Sequence, residues 1–301
     1  MTEFRLRLPA TSANLGPAFD TAAIAWNRFL TVRARPAEAF AVRARGRQAA
    51  LCGELRHHLI LSTYAEVLRD CGRPAAPLAM ELENEIPIGK GCGSSAAARL
   101  AGTALAARFG VLGWDAQRIF EEAARREGHP DNAAACWWGG LVAAGAGRGG
   151  RIGWLQIPCP TVWPLLVAVP RVALATEAAR AVLPANYSRG DAVANVQHAV
   201  MLLMAWREGR EDLLSAAMVD RLHEPYRARL CPLLAALQPL AGTNGVLGVC
   251  LSGAGPSVLL VLRAASGAGA AKAALARAGL EAELIAAEPV PAGPGISWRR
   301  E

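Results

Sequence analysis

The amino-acid sequence predicts an α+β fold in two domains, and three observations carry that prediction. The first half of the 301 residues mixes alternating strand patterns with helical periods. In mid-chain the glycine cluster Gly145-Ala-Gly-Arg-Gly-Gly150 is followed by Pro158-Cys-Pro160, which interrupts both patterns. Beyond it come two pairs of apolar strands with helices on one face, the order of a ferredoxin-like domain. The boundary is drawn at the prolines, giving domains of residues 1–158 and 159–301.

Phe4-Arg-Leu-Arg-Leu8 alternates apolar and basic side chains, so a strand with one buried face opens the chain. Further strands are expected at residues 29–35 and 78–83, with a helix between them near 57–70. The alanine-rich run that ends at Phe109 predicts a helix, and Asp115 is placed to cap another over 115–127. In the second half a strand at 163–169 precedes helices from Thr176, over 191–207 and near 211–221. Strands at 245–251 and 257–262, a helix at 268–278 and a last strand at 281–285 complete the pattern.

With 53% hydrophobic and 19% charged residues the composition is that of a folded globular protein. The net charge of +7 comes from scattered arginines, with no dense basic run and no aromatic-interleaved strip, which excludes a nucleic-acid partner. No apolar run reaches membrane-spanning length and no apolar leader opens the chain, so neither a membrane partner nor export is expected. Seven cysteines, odd in number and without a C-x-x-C pair, signal neither a disulfide framework nor a zinc site. Reduced thiols in the cytoplasm are expected.

Pro87-Ile88-Gly89-Lys90-Gly91-Cys92-Gly93-Ser94-Ser95-Ala96-Ala97 reads as a glycine loop feeding the first turn of a helix, where free N–H groups and the helix dipole favour an anion. Ser94 or Ser95 can cap that helix, and Lys90 adds positive charge. A Walker loop is excluded, because its lysine follows the last glycine. A dinucleotide fingerprint is excluded too, because a helix follows the helix where a second strand is required.

Polar residues gather in four more segments. Asn14 and Asp20 stand on a glycine- and proline-bearing loop after the first strand, where alone they read as turn and cap residues. Glu127-Gly-His-Pro-Asp-Asn132 brings His129, Asp131 and Asn132 into one turn, able to bind an amino group, a hydroxyl or a metal. Thr176 and Arg180, four apart, share a helix face. Ser252-Gly253-Ala254-Gly255 forms a second glycine loop between apolar strands, by itself an ordinary tight hairpin. Glu121 lies on the helix that leads to Glu127.

Taken together and in this order, these segments resemble the GHMP kinase superfamily over roughly residues 8–262, with Pro9 to Asp20, Glu127 to Asn132 and Thr176 to Pro184 pointing to its homoserine branch. The resemblance implies a two-domain GHMP kinase fold, with a ribosomal-protein-S5-domain-2-like N-terminal domain and a ferredoxin-like C-terminal domain. It implies ATP phosphates on the loop from Pro87 to Ala97, Ser252 to Ala254 and Gly255 as the third motif, and Mg²⁺ on Ser95 and Glu121. L-Homoserine is expected against Asn14, Asp20, His129, Asp131, Arg180 and Arg227, and phosphorylation of its hydroxyl would serve threonine biosynthesis. Related mevalonate kinases use an aspartate and a lysine near the hydroxyl. This chain has Asn132 and no lysine there, so direct in-line transfer is expected, helped by Asn132, Thr176 and Arg180. Two positions depart from the family pattern. Ala18 replaces a glycine, and Cys92 replaces a leucine and would set a thiol near the nucleotide, open to alkylation. A homodimer is left open as the assembly.

Overall fold

The computed structural model describes residues 3–159 and 161–291, so Pro160 of the proposed boundary lies outside the described residues. In chain order the elements are β1 (Phe4–Asn14), β2 (Ala18–Pro36), β3 (Ala41–Gly46), α1 (Ala49–Gly53), α2 (Leu59–Asp70) and β4 (Leu78–Asn84). Then follow α3 (Ser94–Phe109), α4 (Ala116–Glu127), α5 (Asp131–Trp138), β5 (Leu141–Ala146) and β6 (Ile152–Ile157). The second half contributes β7 (Leu165–Val169), α6 (Thr176–Ala181), α7 (Arg189–Glu208), α8 (Glu211–Ala217), α9 (Glu224–Arg227) and α10 (Pro232–Leu237). It closes with β8 (Val246–Leu251), β9 (Val258–Leu262), α11 (Ala268–Arg277) and β10 (Glu283–Ala287).

The first sheet has the order β3-β4-β2-β5-β6, with β1 also paired to β2. The second runs β10-β7-β9-β8, all antiparallel, which is the expected ferredoxin-like order. Apolar residues on alternate positions of β1 (Phe4, Leu6, Leu8) turn inward, as the sequence pattern requires, and arginines point out. The glycine cluster at 145–150 is the turn of the β5–β6 hairpin. Among the described residues no helix is long and apolar enough to cross a membrane.

Three local departures matter for the site. β1 extends to Asn14, so the first motif is mostly strand; it turns sharply at Asn14, Leu15 and Gly16, with φ of 72°, 49° and 82°, and Asp20 is again left-handed at 51°. Ala18 opens β2 opposite Asn14 in extended backbone, so an alanine there carries no backbone strain. The segment after Glu127, read as loop, turns through Gly128 at φ 88° and immediately starts α5 at Asp131. Asp115 caps α4 as expected, accepting from Arg118 N at 2.7 Å.

Candidate active site

The glycine loop lies between the two sheets, and its carbonyls are taken from behind. Gly89 O accepts from Leu174 N at 3.3 Å, Lys90 O from Ser257 N at 3.4 Å and Cys92 O from Thr11 N at 3.2 Å. Gly91 O accepts from the Ser252 hydroxyl at 2.7 Å. Four successive carbonyls are thus bound to scaffold, which suits the loop N–H groups to a role as an anion-binding nest. Gly89, Gly91 and Gly93 hold φ of 69°, 75° and 73°, the left-handed conformation that L side chains resist.

Neither serine caps α3. Gly93 is the N-cap residue, without a side-chain cap, so Ser94 and Ser95 begin the helix and its first-turn N–H groups have no intrahelical acceptor. Ser95 Oγ instead donates to Glu127 Oε2 at 2.9 Å, and Arg99 Nε donates to the same oxygen at 2.8 Å. Glu121 does not join them. It sits nearly two turns earlier on α4, where Oε1 accepts from Gln117 Nε2 at 2.9 Å and Ile152 N at 3.4 Å. Glu127 occupies the last helical position before the turn through Gly128, which brings it to the loop.

The loop forms one wall of a cavity of about 640 Å³, within the usual size of small-molecule sites. The same cavity is lined by Asn14, Asp20, His129, Asp131, Asn132, Thr176, Arg180, Arg227, Gly253 and Ala254. Residues from six segments, spread over 240 positions of sequence, therefore meet at one place.

Charge is arranged unevenly there. Arg180 grips Asp20 through two parallel bonds of 2.7 and 3.0 Å, and that hydrogen bond holds the guanidinium above its ordinary range. His129 Nδ1 lies 2.7 Å from Asp131 Oδ1, which also accepts from Asn132 N at 2.7 Å. Burial opposes charge on His129, but the Asp131 hydrogen bond and the charges of Asp131, Asp20 and Glu127 raise its pKa overall. Ligand atoms of Asp20, His129 and Asp131 lie within 4.8 Å of one another. Their oxygens are already shared with Arg180, His129 and a backbone amide, so the group offers an ammonium several acceptors more readily than it offers a metal a complete shell.

Asn14 spans the first and third motifs: Nδ2 donates to Gly253 O at 2.8 Å, and Oδ1 accepts from Asp20 N at 3.0 Å. Thr11 Oγ1 donates to Asn132 Oδ1 at 2.6 Å, which leaves the Asn132 amide nitrogen as its free donor. Ser252 Oγ lies 2.7 Å from Ser12 Oγ, so the third motif braces both others.

Four expected ATP contacts, Pro87, Lys90, Ala96 and Ala97, do not line this cavity. The Lys90 ammonium donates to Arg171 O and, with Pro87, lines a different cleft. Ala96 and Ala97 are buried in α3 behind the loop. Cys92 has no exposed surface; Sγ turns to the Lys90 carbonyl and Ser257, and burial pushes the thiol up to about 12. A buried neutral thiol is inert, so the expected sensitivity to alkylation is withdrawn. Sequence reasoning also passed over Phe19, which carries Arg180 and Arg227 near its ring at 5.6 and 5.3 Å. It missed as well the apolar wall of Leu51, Leu82 and Ile86, which the expected Ile88 extends.

Residues 58–140 match the GHMP kinases N terminal domain, and residues 202–281 match GHMP kinases C terminal. The homoserine kinase of Solibacter usitatus is 45% identical over 257 residues, spanning 85% of this chain and 84% of that protein. The chain belongs to the GHMP kinase family. A further GHMP kinase relative, the homoserine kinase of Deinococcus radiodurans, is 38% identical over 256 residues, 85% of this chain and 83% of its own. Among solved structures, homoserine kinase from Cytophaga hutchinsonii superposes with a TM-score of 0.80 at 24% identity, covering 96% and 95% of the two chains. L. major mevalonate kinase, solved with R-mevalonate, gives 0.71 at 15% identity, covering 95% and 96%. At such identities the likeness is one of fold, and it extends the GHMP kinase architecture over both sheets.

Proposed function

We propose that this GHMP kinase transfers the γ-phosphoryl group of ATP to the hydroxyl of L-homoserine, giving O-phospho-L-homoserine and ADP in threonine biosynthesis. One observation carries the reading: the left-handed glycine loop and the start of α3 line the same cavity as a carboxylate–histidine cluster and two arginines. The names of the relatives point the same way. Homoserine presents an ammonium, a carboxylate and a hydroxyl. Asp131 and Asp20 suit the first, while the forks of Arg180 and Arg227 suit the second.

The metal site follows from the donor set. Ser95 and Glu127 offer two hard oxygens beside the nest, the chemistry that Mg²⁺ accepts, and we assign it to this pair rather than to Glu121. When bound, the ion supplies charge neutralisation on phosphate oxygens. In the transfer, the substrate oxygen forms a bond to Pγ, the bond from Pγ to the bridging oxygen breaks toward ADP, and the hydroxyl proton passes to a phosphoryl oxygen. The loop amides, Arg180 and Thr176 balance the spread charge, and the chain's main task is alignment. Domain limits of 1–158 and 159–301 are proposed on the gap between β6, ending at Ile157, and β7, starting at Leu165. The same reading places the enzyme in the cytoplasm, where unpaired cysteines stay reduced.

A coupled ADP-release assay over homoserine, mevalonate, galactose and shikimate tests the proposal. Strong turnover is expected with homoserine alone; preference for any of the other three would overturn it. Asn132 is assigned as a donor to the reacting hydroxyl, since an amide takes up no proton at neutral pH. Asn132→Ala should therefore lower kcat by about tenfold or less, the loss of one hydrogen bond. A loss of four orders of magnitude, or a carboxylate limb in the pH–rate profile that disappears with the substitution, would count against the assignment.

A further inference from the structure

Arg227 is 1% exposed, yet it reaches the cavity wall. A buried guanidinium needs its N–H groups paired, because each one stripped of water and left alone is costly. Two acceptors orient it. Nε donates to Ala179 O at 3.0 Å, and one terminal nitrogen donates to His223 Nδ1 at 3.2 Å. The other imidazole nitrogen, Nε2, lies 2.9 Å from Gly16 O.

These neighbours determine the tautomer. Arginine only donates and a carbonyl only accepts, so the imidazole proton sits on Nε2 and Nδ1 is bare. His223 has no exposed surface, and burial holds its pKa below the ordinary imidazole range; Asp220 and Asp20 pull the other way and Arg227 reinforces the shift. The ring stacks on Phe19 with centroids 5.1 Å apart. Asp220 Oδ2 accepts from His223 N and Glu224 N, both at 2.7 Å, and so anchors the start of α9. Through Gly16 O the ring is also tied to the turn between Asn14 and Ala18 that sets the entry to Asp20.

We propose that His223 is a positioning residue for the amino-acid substrate: as the Nε2–H tautomer it fixes the Arg227 fork and ties it to the Gly16 turn. One ring thus registers the C-terminal arginine against the loop that carries Asn14 and Asp20. His223 touches no reacting atom. The inference rests on the reading of Arg227 as a ligand of the substrate carboxylate.

Steady-state kinetics of the full chain, with His223→Gln and His223→Asn made alone and on Arg227→Ala, tests it. Glutamine keeps a donor for Gly16 near the Nε2 position and loses the acceptor for Arg227. Asparagine keeps an acceptor near Nδ1. His223→Gln is expected to raise the homoserine KM about tenfold, the loss of one hydrogen bond to a charged group, with the ATP KM unchanged and a lower melting temperature, because a buried N–H of Arg227 loses its acceptor. His223→Asn should recover most of that loss, and on Arg227→Ala the glutamine should add less than about twofold. Equal losses in both variants, or a full loss persisting on Arg227→Ala, would overturn the proposal. If Arg227→Ala raises the homoserine KM and His223→Gln does not, this inference alone fails. If Arg227→Ala leaves that KM unchanged, the carboxylate reading fails and takes this one with it. Should His223→Gln not fold, His223→Asn decides: a tenfold higher KM there is the overturning result.

Discussion

Glu127→Gln is expected to lower kcat by about 10²–10³ at saturating substrates, the cost typical of removing one charge-stabilising group, while Glu121→Gln stays within about twofold of wild type. Glutamine is nearly isosteric and still offers Ser95 an oxygen to bond, so the loop and α4 keep their packing. What it removes is the negative charge beside the nest. A cation held by Ser95 and Glu127 would then lose its only charged ligand of the pair, and the Mg²⁺ or Mn²⁺ concentration for half-maximal rate should rise steeply. Arg99 would lose its ionic partner at the same time, so a melting curve belongs beside the kinetics. At Glu121 the carboxylate serves a surface junction among Gln117, Ile152 and Arg151, which an amide can largely reproduce. The reverse result, with Glu121→Gln crippled and Glu127→Gln active, would return the metal to the residue that the sequence resemblance implied.

That exchange of carboxylates shows where sequence reading reaches its limit. Both glutamates lie on the predicted helix, and helical period alone does not say which of them faces a loop 30 residues upstream. The deciding fact is how abruptly the chain leaves α4, through Gly128 at φ 88° directly into α5. The glycine loops were legible because their φ values demand glycine, and the apolar strands of the second sheet were legible because both faces are buried. β3 was not, since Ala41–Gly46 is an edge strand whose inward row is only the half-buried Val42 and Ala44, set between exposed arginines. α5 was hidden because Pro130 and the polar pair Asp131-Asn132 carry loop chemistry, and the helix is only eight residues long, too short to show a helical period. Lys90 was misread for a different reason. In a chain whose only other lysine is Lys272, its place in a phosphate loop looked functional, but the left-handed glycines on either side turn its side chain to the rear cleft. Phe19 and His223 left no local trace, because their roles arise from stacking and hydrogen bonds across some 200 residues of sequence.

Gly93→Ala should disable nucleotide binding, raising the ATP KM by about 10² or more, and should destabilise the fold by about 2–5 kcal/mol. Two costs add. Gly93 holds φ 73°, which an alanine adopts at about 1–2 kcal/mol. Its new Cβ would also overlap the Thr11 hydroxyl and come within 3.1 Å of Thr11 N and Cβ. Thr11 cannot yield cheaply. It is fully buried in β1, its χ1 is stiff, its N–H holds Cys92 O, and its hydroxyl holds Asn132. Relief must therefore come from the loop, and moving the loop redirects the N–H groups that begin α3. Because Thr11 also orients Asn132, kcat should fall together with ATP affinity. Removing the hydroxyl in Thr11→Ala on top of Gly93→Ala relieves the worst overlap but not the left-handed backbone, so part of the stability and part of the ATP affinity should return. Calorimetric titration with a non-hydrolysable ATP analogue, run beside a thermal melt, reads both. Wild-type nucleotide affinity in Gly93→Ala would mean that the phosphates are held somewhere other than this nest.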